Sequence, residues 1–182
     1  LLTKLSVFVQ SFSGNNHFIG FGNNHKDSMI NVHKLVKQQK SYCYLSTLHY
    51  TNKLNGFPYT SIVGFTVDEL GNPIISMSDI SQHTRNIGKD NRISILIPDN
   101  NVNPTDLKLN QQRVTLIGNL EKVSGADKNY YKDIYRKSHD EAFWVDFSDF
   151  NFYKLDNIKD ITYIGGFGKA TKINVAKYYE TF

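Results

Sequence analysis

The sequence predicts a mostly β protein in which short strands and two intervening helices close into a barrel. Aromatic residues make up 13% of the 182 residues, with 12 Phe and 11 Tyr, and such residues favour strands. Apolar residues recur with a period of two in several short segments, which is the pattern of a half-buried strand. A glycine run at Gly165–Gly168 supplies the backbone freedom needed where a closing barrel bends.

Eight segments have the composition and spacing of strands. In chain order they are Tyr42–Leu48, Tyr59–Val67, Ile74–Met77, Arg92–Ile97, Arg113–Lys122, Phe150–Leu155, Ile161–Ile164 and a last strand that ends at Ile173. Asp68–Asn72 has the composition of a hairpin turn between the second and third strands. Two polar connections, Tyr50–Gly56 and Pro98–Gln111, separate the other early strands.

Three further segments have helical patterns. Asp27–Ser28 can cap a helix over about Met29–Gln39, which has an apolar stripe along one face. Ser124–Ser138 begins with capping-box spacing and carries a stripe of tyrosines, which is typical of a core face or a dimer interface. A short helix at Val175–Tyr179 follows the last strand.

The richest chemistry lies in Ser76–Ile97, which combines a strand end, a short helix and another strand. Ser78 or Asp79 can cap this helix, and Gly88 closes it. One helical face is predicted to carry Ile80, Thr84 and Ile87. The polar side chains brought near one spot are Ser78, Ser81, Gln82, His83, Thr84 and Arg85. This set suits a bound phosphate, although for the segment taken alone a capped surface helix with a solvated arginine is the favoured interpretation.

Composition excludes several classes of function. The formal charge of +4 is mild and the lysines are spread along the chain, so we expect a solvated surface and no nucleic-acid partner. Cys43 is the only cysteine and lies in an apolar run, which predicts a buried thiol and neither an internal disulfide nor a thiolate metal site. No apolar stretch approaches the roughly 20 residues of a spanning helix, so no membrane span is expected.

Residues 1–28 are predicted to be a flexible or processed arm before a domain formed by residues 29–182. Leu1–Val9 suits either the remnant of a signal peptide or a first strand. A Gly-Asn-Asn-His sequence ends at His17 and recurs with its end at His25. That pair could bind a metal, but a flexible polar arm is favoured because no carboxylate or cysteine cluster accompanies it.

His139 follows the second long helix and precedes two acidic residues. It could act as a base or a ligand, although a solvated helix end is the favoured interpretation. No residue in the chain is an evident nucleophile or half of an acid–base pair, so the catalytic residues stay unknown. No metal site is predicted.

Four segments carry a family resemblance: Gly56–Ser61, Met77–Asn86, Arg113–Gly118 and Tyr163–Gly168. They resemble the CREG-like proteins, which belong to the pyridoxamine 5'-phosphate oxidase superfamily of FMN-binding split barrels. The match covers about Met29–Phe182, with the motifs in the family's order. The run that ends in His-Thr-Arg-Asn is the most specific, and related bacterial haem-degrading split-barrel proteins have it too.

The resemblance implies an α+β, mostly β fold, a six-stranded antiparallel split β-barrel with flanking helices. It also implies a homodimer with two ligand sites at the interface. In flavin-binding relatives the FMN phosphate meets the helix between the third and fourth strands, and the preceding strands run beside the flavin. With the polar cluster, this gives the cofactor-binding residues Ser61, Ser76, Ser78, Ser81, Gln82, His83, Thr84 and Arg85.

The chain departs from these relatives at several positions. Pyridoxamine phosphate oxidases proper have Arg-Lys where this chain has Gln82 and His83. CREG proteins have largely lost flavin binding and act as secreted or endolysosomal glycoproteins, but their glycosylation sites are missing here. Haem-degrading relatives use a C-terminal histidine as iron ligand, and no histidine follows His139. Asp149 matches an acid that those proteins use near haem.

Three functions are therefore open. The favoured one is a flavoprotein that binds FMN, or another phosphate-bearing small molecule, at a homodimer interface and could act as an FMN-dependent oxidoreductase. The alternatives are a non-catalytic, CREG-like dimeric binding or regulatory protein and a haem-binding or haem-degrading protein. The compartment is secretory or endolysosomal by resemblance, with the cytoplasm as the alternative.

Overall fold

The computed structural model describes residues 25–182. Within them the chain forms seven strands and four α-helices. The strands are β1 (Tyr42–Leu48), β2 (Pro58–Val67), β3 (Pro73–Ser78), β4 (Arg92–Pro98), β5 (Arg113–Lys122), β6 (Phe150–Ile164) and β7 (Ala170–Ile173). The helices are α1 (His25–Val36), α2 (Gln82–Ile87), α3 (Lys128–Ser138) and α4 (Val175–Thr181).

Six of these strands close into an antiparallel barrel, as the resemblance implies. The order is β3-β2-β1-β4-β5-β6, and an additional pairing between β3 and β6 joins the two ends. β6 is long enough to have two partners on one side. Its first residues, from Phe150 to Lys154, pair with β3, and its last residues, from Ile161 to Ile164, pair with β7. β7 is thus an extra strand outside the ring.

The prediction of separate strands at Phe150–Leu155 and Ile161–Ile164 is wrong, because β6 is continuous. The polar residues between those segments look like a turn in the sequence. They remain paired with β5, whose register shifts between Ile117 and Gly118 and again between Asn119 and Glu121. These irregularities absorb the extra residues and let one strand bend around the barrel.

The glycine run Gly165–Gly168 is also placed differently from the prediction, because the barrel closes at the β3–β6 pairing. The run forms the turn from β6 to β7, in which the Gly165 N–H donates to the Lys169 carbonyl at 3.0 Å. Gly168 has a φ of +72°, a conformation that side-chain-bearing residues rarely adopt.

The barrel interior is filled by alternate residues of its strands, with α1 and α4 packed against the same core. Cys43 is fully buried there, and burial raises the pKa of its thiol, which confirms the predicted buried thiol. α1 begins at His25 and ends at Val36, so it is shifted toward the N-terminus from the predicted helix. The arm's residues 1–24, including His17, lie outside the described residues.

A second, smaller core lies outside the barrel under α3. Tyr131 and Tyr135 pack there against Ile74 and Phe152, which confirms the core interpretation of the tyrosine stripe. α3 begins at Lys128, after a 3-10 turn at Gly125–Asp127, and thus later than predicted. No helix within residues 25–182 combines the length and apolar character needed to cross a membrane.

His139 belongs to this outer core, and the prediction of a solvated helix end there is wrong. The residue is 4% exposed, and its Nε2 donates to the Phe65 carbonyl at 2.8 Å. Its ring stacks on Tyr135 with centroids 4.6 Å apart. The histidine therefore fixes the end of α3 to the outside of β2.

Gly118 lies at the register shift of β5, and its substitution tests how closely β5 and β6 approach. A Cβ at Gly118 would collide with the backbone carbonyl of Asn157 on β6, whereas a Cβ at Gly125 would have nothing within 4 Å. We expect Gly118→Ala to lower the free energy of unfolding by about 1–3 kcal/mol, since backbone cannot yield as a side chain can. Gly125→Ala is the control and should leave it nearly unchanged. Equal urea midpoints for the two variants would show that β5 and β6 do not approach this closely.

Candidate functional site

Most of the predicted site residues meet at α2, a helix of six residues between β3 and β4. Its N-cap residue is Ser81, so the prediction that Ser78 or Asp79 caps the helix is wrong. Ser78 Oγ instead accepts a hydrogen bond from the Ile80 N–H, at 3.3 Å, in the turn before the helix. Gly88 is the C-cap residue, as expected. So short a helix aligns few peptide dipoles, and side chains must supply most of any attraction for an anion.

Two of the three residues predicted on the apolar face of this segment are buried. Thr84 and Ile87 are 7% and 6% exposed, whereas Ile80 is 71% exposed. The prediction therefore fails for Ile80, because the helix starts after it and its side chain does not follow the helical period. An exposed apolar side chain consequently stands at the entrance to the helix.

α2 is attached to the barrel wall by a chain of amide hydrogen bonds. Gln82 Nε2 donates to Asn86 Oδ1 at 2.8 Å, and Asn86 Nδ2 donates to Thr47 Oγ1 on β1 at 2.9 Å. Asn86 and Thr47 are both buried, at 0% and 1% exposure. These bonds hold α2 over one end of the barrel and commit the Gln82 side chain to the protein.

His83 contacts the strand beside the helix. Its Nδ1 lies 3.1 Å from Ser61 Oγ on β2, so the structure brings together two residues that the resemblance assigns to one site. The ring is half-buried, and desolvation lowers its pKa. Because the unperturbed value is about 6.5, the imidazole is neutral at neutral pH.

The hydroxyls on the β3 side of α2 also bond to one another. Ser81 Oγ donates to the Ser78 carbonyl at 2.8 Å and lies 2.7 Å from Thr84 Oγ1. Since the Ser81 proton is already engaged, the Thr84 hydroxyl donates to Ser81. Neither hydroxyl is left with an uncommitted proton for a ligand.

Asp149 joins this cluster although it is absent from the predicted set of site residues. Ser78 Oγ donates to Asp149 Oδ2 at 2.5 Å, and the Asp79 N–H donates to the Asp149 carbonyl at 2.8 Å. Only the family resemblance singled out this acid in the sequence. Its proximity to Ser78 arises because β6 begins beside the end of β3, where Phe150 pairs with Ser78.

Arg85 and Ser76 are the predicted site residues that stand apart. Arg85 is exposed, and its side chain forms no hydrogen bond or ion pair with any described residue. Asp79, an acid that could have paired with it, instead pairs with Lys122 at 3.3 Å. Ser76 is 7% exposed on β3, and its buried Oγ has no partner within residues 25–182. Arg85 is thus available to a ligand, whereas Ser76 shares no side-chain bond with the α2 cluster.

Exposed apolar side chains lie close in sequence to these polar groups. Ile62, next to Ser61, is 64% exposed, and Phe147, two residues before Asp149, is 50% exposed. Ile80 stands at the start of α2, whereas Ile62 points to the face of β2 opposite Ser61, because successive strand residues alternate. No group of three His, Cys, Asp or Glu side chains in the described part of the chain has the arrangement of a metal site.

The contrast between Asn86 and Arg85 gives a stability prediction for the ligand-free protein. Asn86→Ala removes both amide bonds and leaves the buried Thr47 hydroxyl without its donor, so we expect a loss of about 1–3 kcal/mol. Arg85→Ala, the control on the same helix, should stay within about 0.5 kcal/mol of the parent. Urea unfolding measures both. A large loss for Arg85→Ala would show that the arginine is a structural clamp.

The chain has several similar proteins. The model of the CREG beta-barrel family, "CREG, beta-barrel", matches residues 24–180. The chloroplastic heme oxygenase HOZ of Arabidopsis thaliana is 33% identical over 121 residues, which are 66% of this chain and 36% of that protein. This chain therefore spans well under half of the length of that curated relative.

Solved structures share the fold at low sequence identity. A heme binding protein from Mycobacterium smegmatis has a TM-score of 0.70 and 23% identity, with 88% of this chain and 62% of that chain covered. A Clostridium acetobutylicum protein related to general stress protein 26, of the pyridoxinephosphate oxidase family, has a TM-score of 0.62 and 18% identity, covering 86% and 100%. The chain belongs to the CREG beta-barrel family and has the split-barrel fold of pyridoxamine phosphate oxidase-like proteins.

Proposed function

We propose that this chain is a haem-binding split-barrel domain whose ligand lies beside α2. The observation that carries the proposal is that the polar side chains expected to hold a flavin phosphate are already bonded to the protein. Gln82 donates to Asn86, Ser81 donates to the Ser78 carbonyl, and His83 lies against Ser61. Recognition of FMN by this cluster would require those bonds to break.

The remaining groups suit a large, flat, mostly apolar ligand with two carboxylates. Ile80 and Phe147 present exposed apolar surface, and an unpaired cation on Arg85 suits a carboxylate. The neutral imidazole of His83 is a ligand type that iron accepts. A bound haem would supply iron for oxygen chemistry, and Asp149 would supply a carboxylate beside Ser78. The names of the plant heme oxygenase and of the mycobacterial heme binding protein support the same ligand class.

FMN binding, with a possible role as an oxidoreductase, is the second candidate, and the unpaired Arg85 favours it. A guanidinium can fork onto two phosphate oxygens. One arginine without basic neighbours at Gln82 and His83 would hold a phosphate weakly, because each charge-assisted bond contributes only about 1.5–3 kcal/mol. A haem offers both an apolar ring and carboxylates to the exposed apolar side chains and to Arg85, and it is therefore the preferred ligand.

We further propose that the protein is a homodimer formed through the outer face of the barrel. Ile62 on β2 pairs with Tyr44 on β1, which pairs with Leu96 on β4. This row crosses three strands, and Ile62 and Tyr44 are 64% and 37% exposed. Contiguous exposed apolar surface of this kind is typical of an interface, and a twofold axis would place it against its own copy.

A titration of the purified protein with haemin and with FMN distinguishes the two ligands. We expect haemin to give a saturable Soret band at one equivalent per chain, with FMN binding at least 10-fold weaker. Arg85→Ala should weaken either ligand by about 10- to 100-fold if the guanidinium contacts an anionic group. Tight FMN binding without a Soret band would replace haem by flavin as the ligand, and binding of neither would favour the non-catalytic CREG-like alternative.

The proposed dimer is tested by placing a charge in the apolar row. Ile62→Glu should convert the dimer into a monomer of 20.9 kDa, because an unpaired carboxylate would be buried at the interface. Leu70→Glu is the matched control, since Leu70 is 68% exposed in the turn between β2 and β3. Light scattering gives the mass. A parent protein that is already monomeric would rule out the dimer.

A further inference from the structure

We propose that the protein has a second binding site, which takes a free α-amino acid with an apolar side chain. The site is a cavity of about 660 Å³ between the end of α2, the start of β4 and the end of β5. This volume is within the range of about 300–1,000 Å³ found for small-molecule sites. Residues 87–92, residues 119–122 and Tyr153 contribute to the lining, whereas His83 and Arg85 do not. The proposal therefore does not depend on haem binding.

The most deeply buried side chains of the lining form an apolar floor. Ile87, Leu120 and Tyr153 are 6%, 1% and 5% exposed. Burial raises the pKa of Tyr153 to about 12, so its phenol is uncharged at neutral pH. This floor favours an aliphatic side chain on the ligand, because a charged one would lose its hydration there without gaining a partner.

Most of the charged side chains around the cavity are already paired within the protein. Arg92 Nη2 lies 2.5 Å from Asp90 Oδ2, and Arg92 Nε donates to the same carboxylate at 2.9 Å. Lys122 forms an ion pair at 3.3 Å with the acid that follows β3. Lys89 and Glu121 are the charged residues of the lining that remain.

These two residues face the cavity without pairing with each other. Lys89 is exposed, and its side chain forms no hydrogen bond or ion pair with residues 25–182. Glu121 is exposed as well, and among the described residues its carboxylate accepts a hydrogen bond only from Asn91 Nδ2, at 2.5 Å. A molecule that carries both a carboxylate and an ammonium pairs with the two side chains at once.

A chain of asparagine amides supplies further donors on this wall. A carboxylate can only accept, so Asn91 presents its nitrogen to Glu121. The Asn91 oxygen then accepts from Asn119 Nδ2 at 2.8 Å, and the Asn119 oxygen accepts from Asn157 Nδ2 at 3.3 Å. Each amide nitrogen carries two protons, and the chain uses one of them. Asn91 and Asn119 both line the cavity, so each retains an N–H for the carboxylate of a ligand.

An α-amino acid carries its two charged groups and its side chain on one carbon atom. The ammonium pairs with Glu121, the carboxylate pairs with Lys89 and the spare amide N–H groups, and the side chain lies on the apolar floor. A phosphate ester would place a second negative charge near Glu121 without a matching ammonium. A neutral sugar would leave both charged side chains without a partner.

Calorimetric titration of the haem-free protein with L-leucine tests the proposal. Leucinamide lacks the carboxylate and N-acetyl-L-leucine lacks the ammonium, so we expect each to bind at least about 10-fold more weakly. Lys89→Gln should weaken L-leucine by about 10-fold and leave leucinamide unchanged. Glu121→Gln keeps an acceptor for Asn91, and it should weaken L-leucine and leucinamide but not N-acetyl-L-leucine. Lys53→Gln, at an exposed lysine before β2, is the matched control and should bind as the parent does.

The contrary results are equally distinct. No saturable heat with millimolar L-leucine would overturn the proposed site. Equal affinities for L-leucine, leucinamide and N-acetyl-L-leucine would show that only the apolar side chain is recognised, and the pairing with Lys89 and Glu121 would be wrong. A parent protein that binds L-leucine but no haemin would refute the proposed haem domain and leave this site standing.

Discussion

The candidate site depends on the buried amide of Asn86. A helix of six residues is far too short to be stable alone, so α2 exists because tertiary contacts hold it in place. Asn86 joins Gln82 on its own helix to Thr47 on β1, and with 0% exposure its amide cannot exchange these partners for water. Unpaired, it would cost about 1–3 kcal/mol. The same bonds that stabilise α2 therefore hold in place the turn that carries His83.

The long strand β6 gives the second constraint, because it closes the barrel and completes the site at once. Its pairing with β3 sets Phe150 opposite Ser78, and this places Asp149 at the Ser78 hydroxyl. The register shift at Gly118 of β5 allows β6 to continue as far as its pairing with β7. A change in the β5–β6 register would consequently move an acidic side chain of the site, although the two features lie at different places on the barrel.

Local periodicity was enough to predict much of the fold. The bounds of β1 agree with the prediction because Cys43, Leu45 and Thr47 alternate with exposed residues. The sequence predicts two strands in place of β6, because the polar middle of β6 resembles a turn. Only its pairing with a distant strand keeps this middle segment extended. His139 was misjudged because its partner is a backbone carbonyl 74 positions away. The residues of α2 are neighbours in the sequence, but the direction of each side chain depends on contacts that no local pattern contains.

Those directions decide what kind of ligand the segment can hold. Where pyridoxamine phosphate oxidases have two basic residues, this chain has Gln82 and His83, and both bond to the protein on one side. Basic side chains at these positions would form a receptor for an anion. Here the amide is committed to Asn86 and the neutral imidazole lies against Ser61, so neither residue presents the charged donors that hold an anion. Two uncharged residues at these positions thus leave Arg85 as the one charged donor on α2.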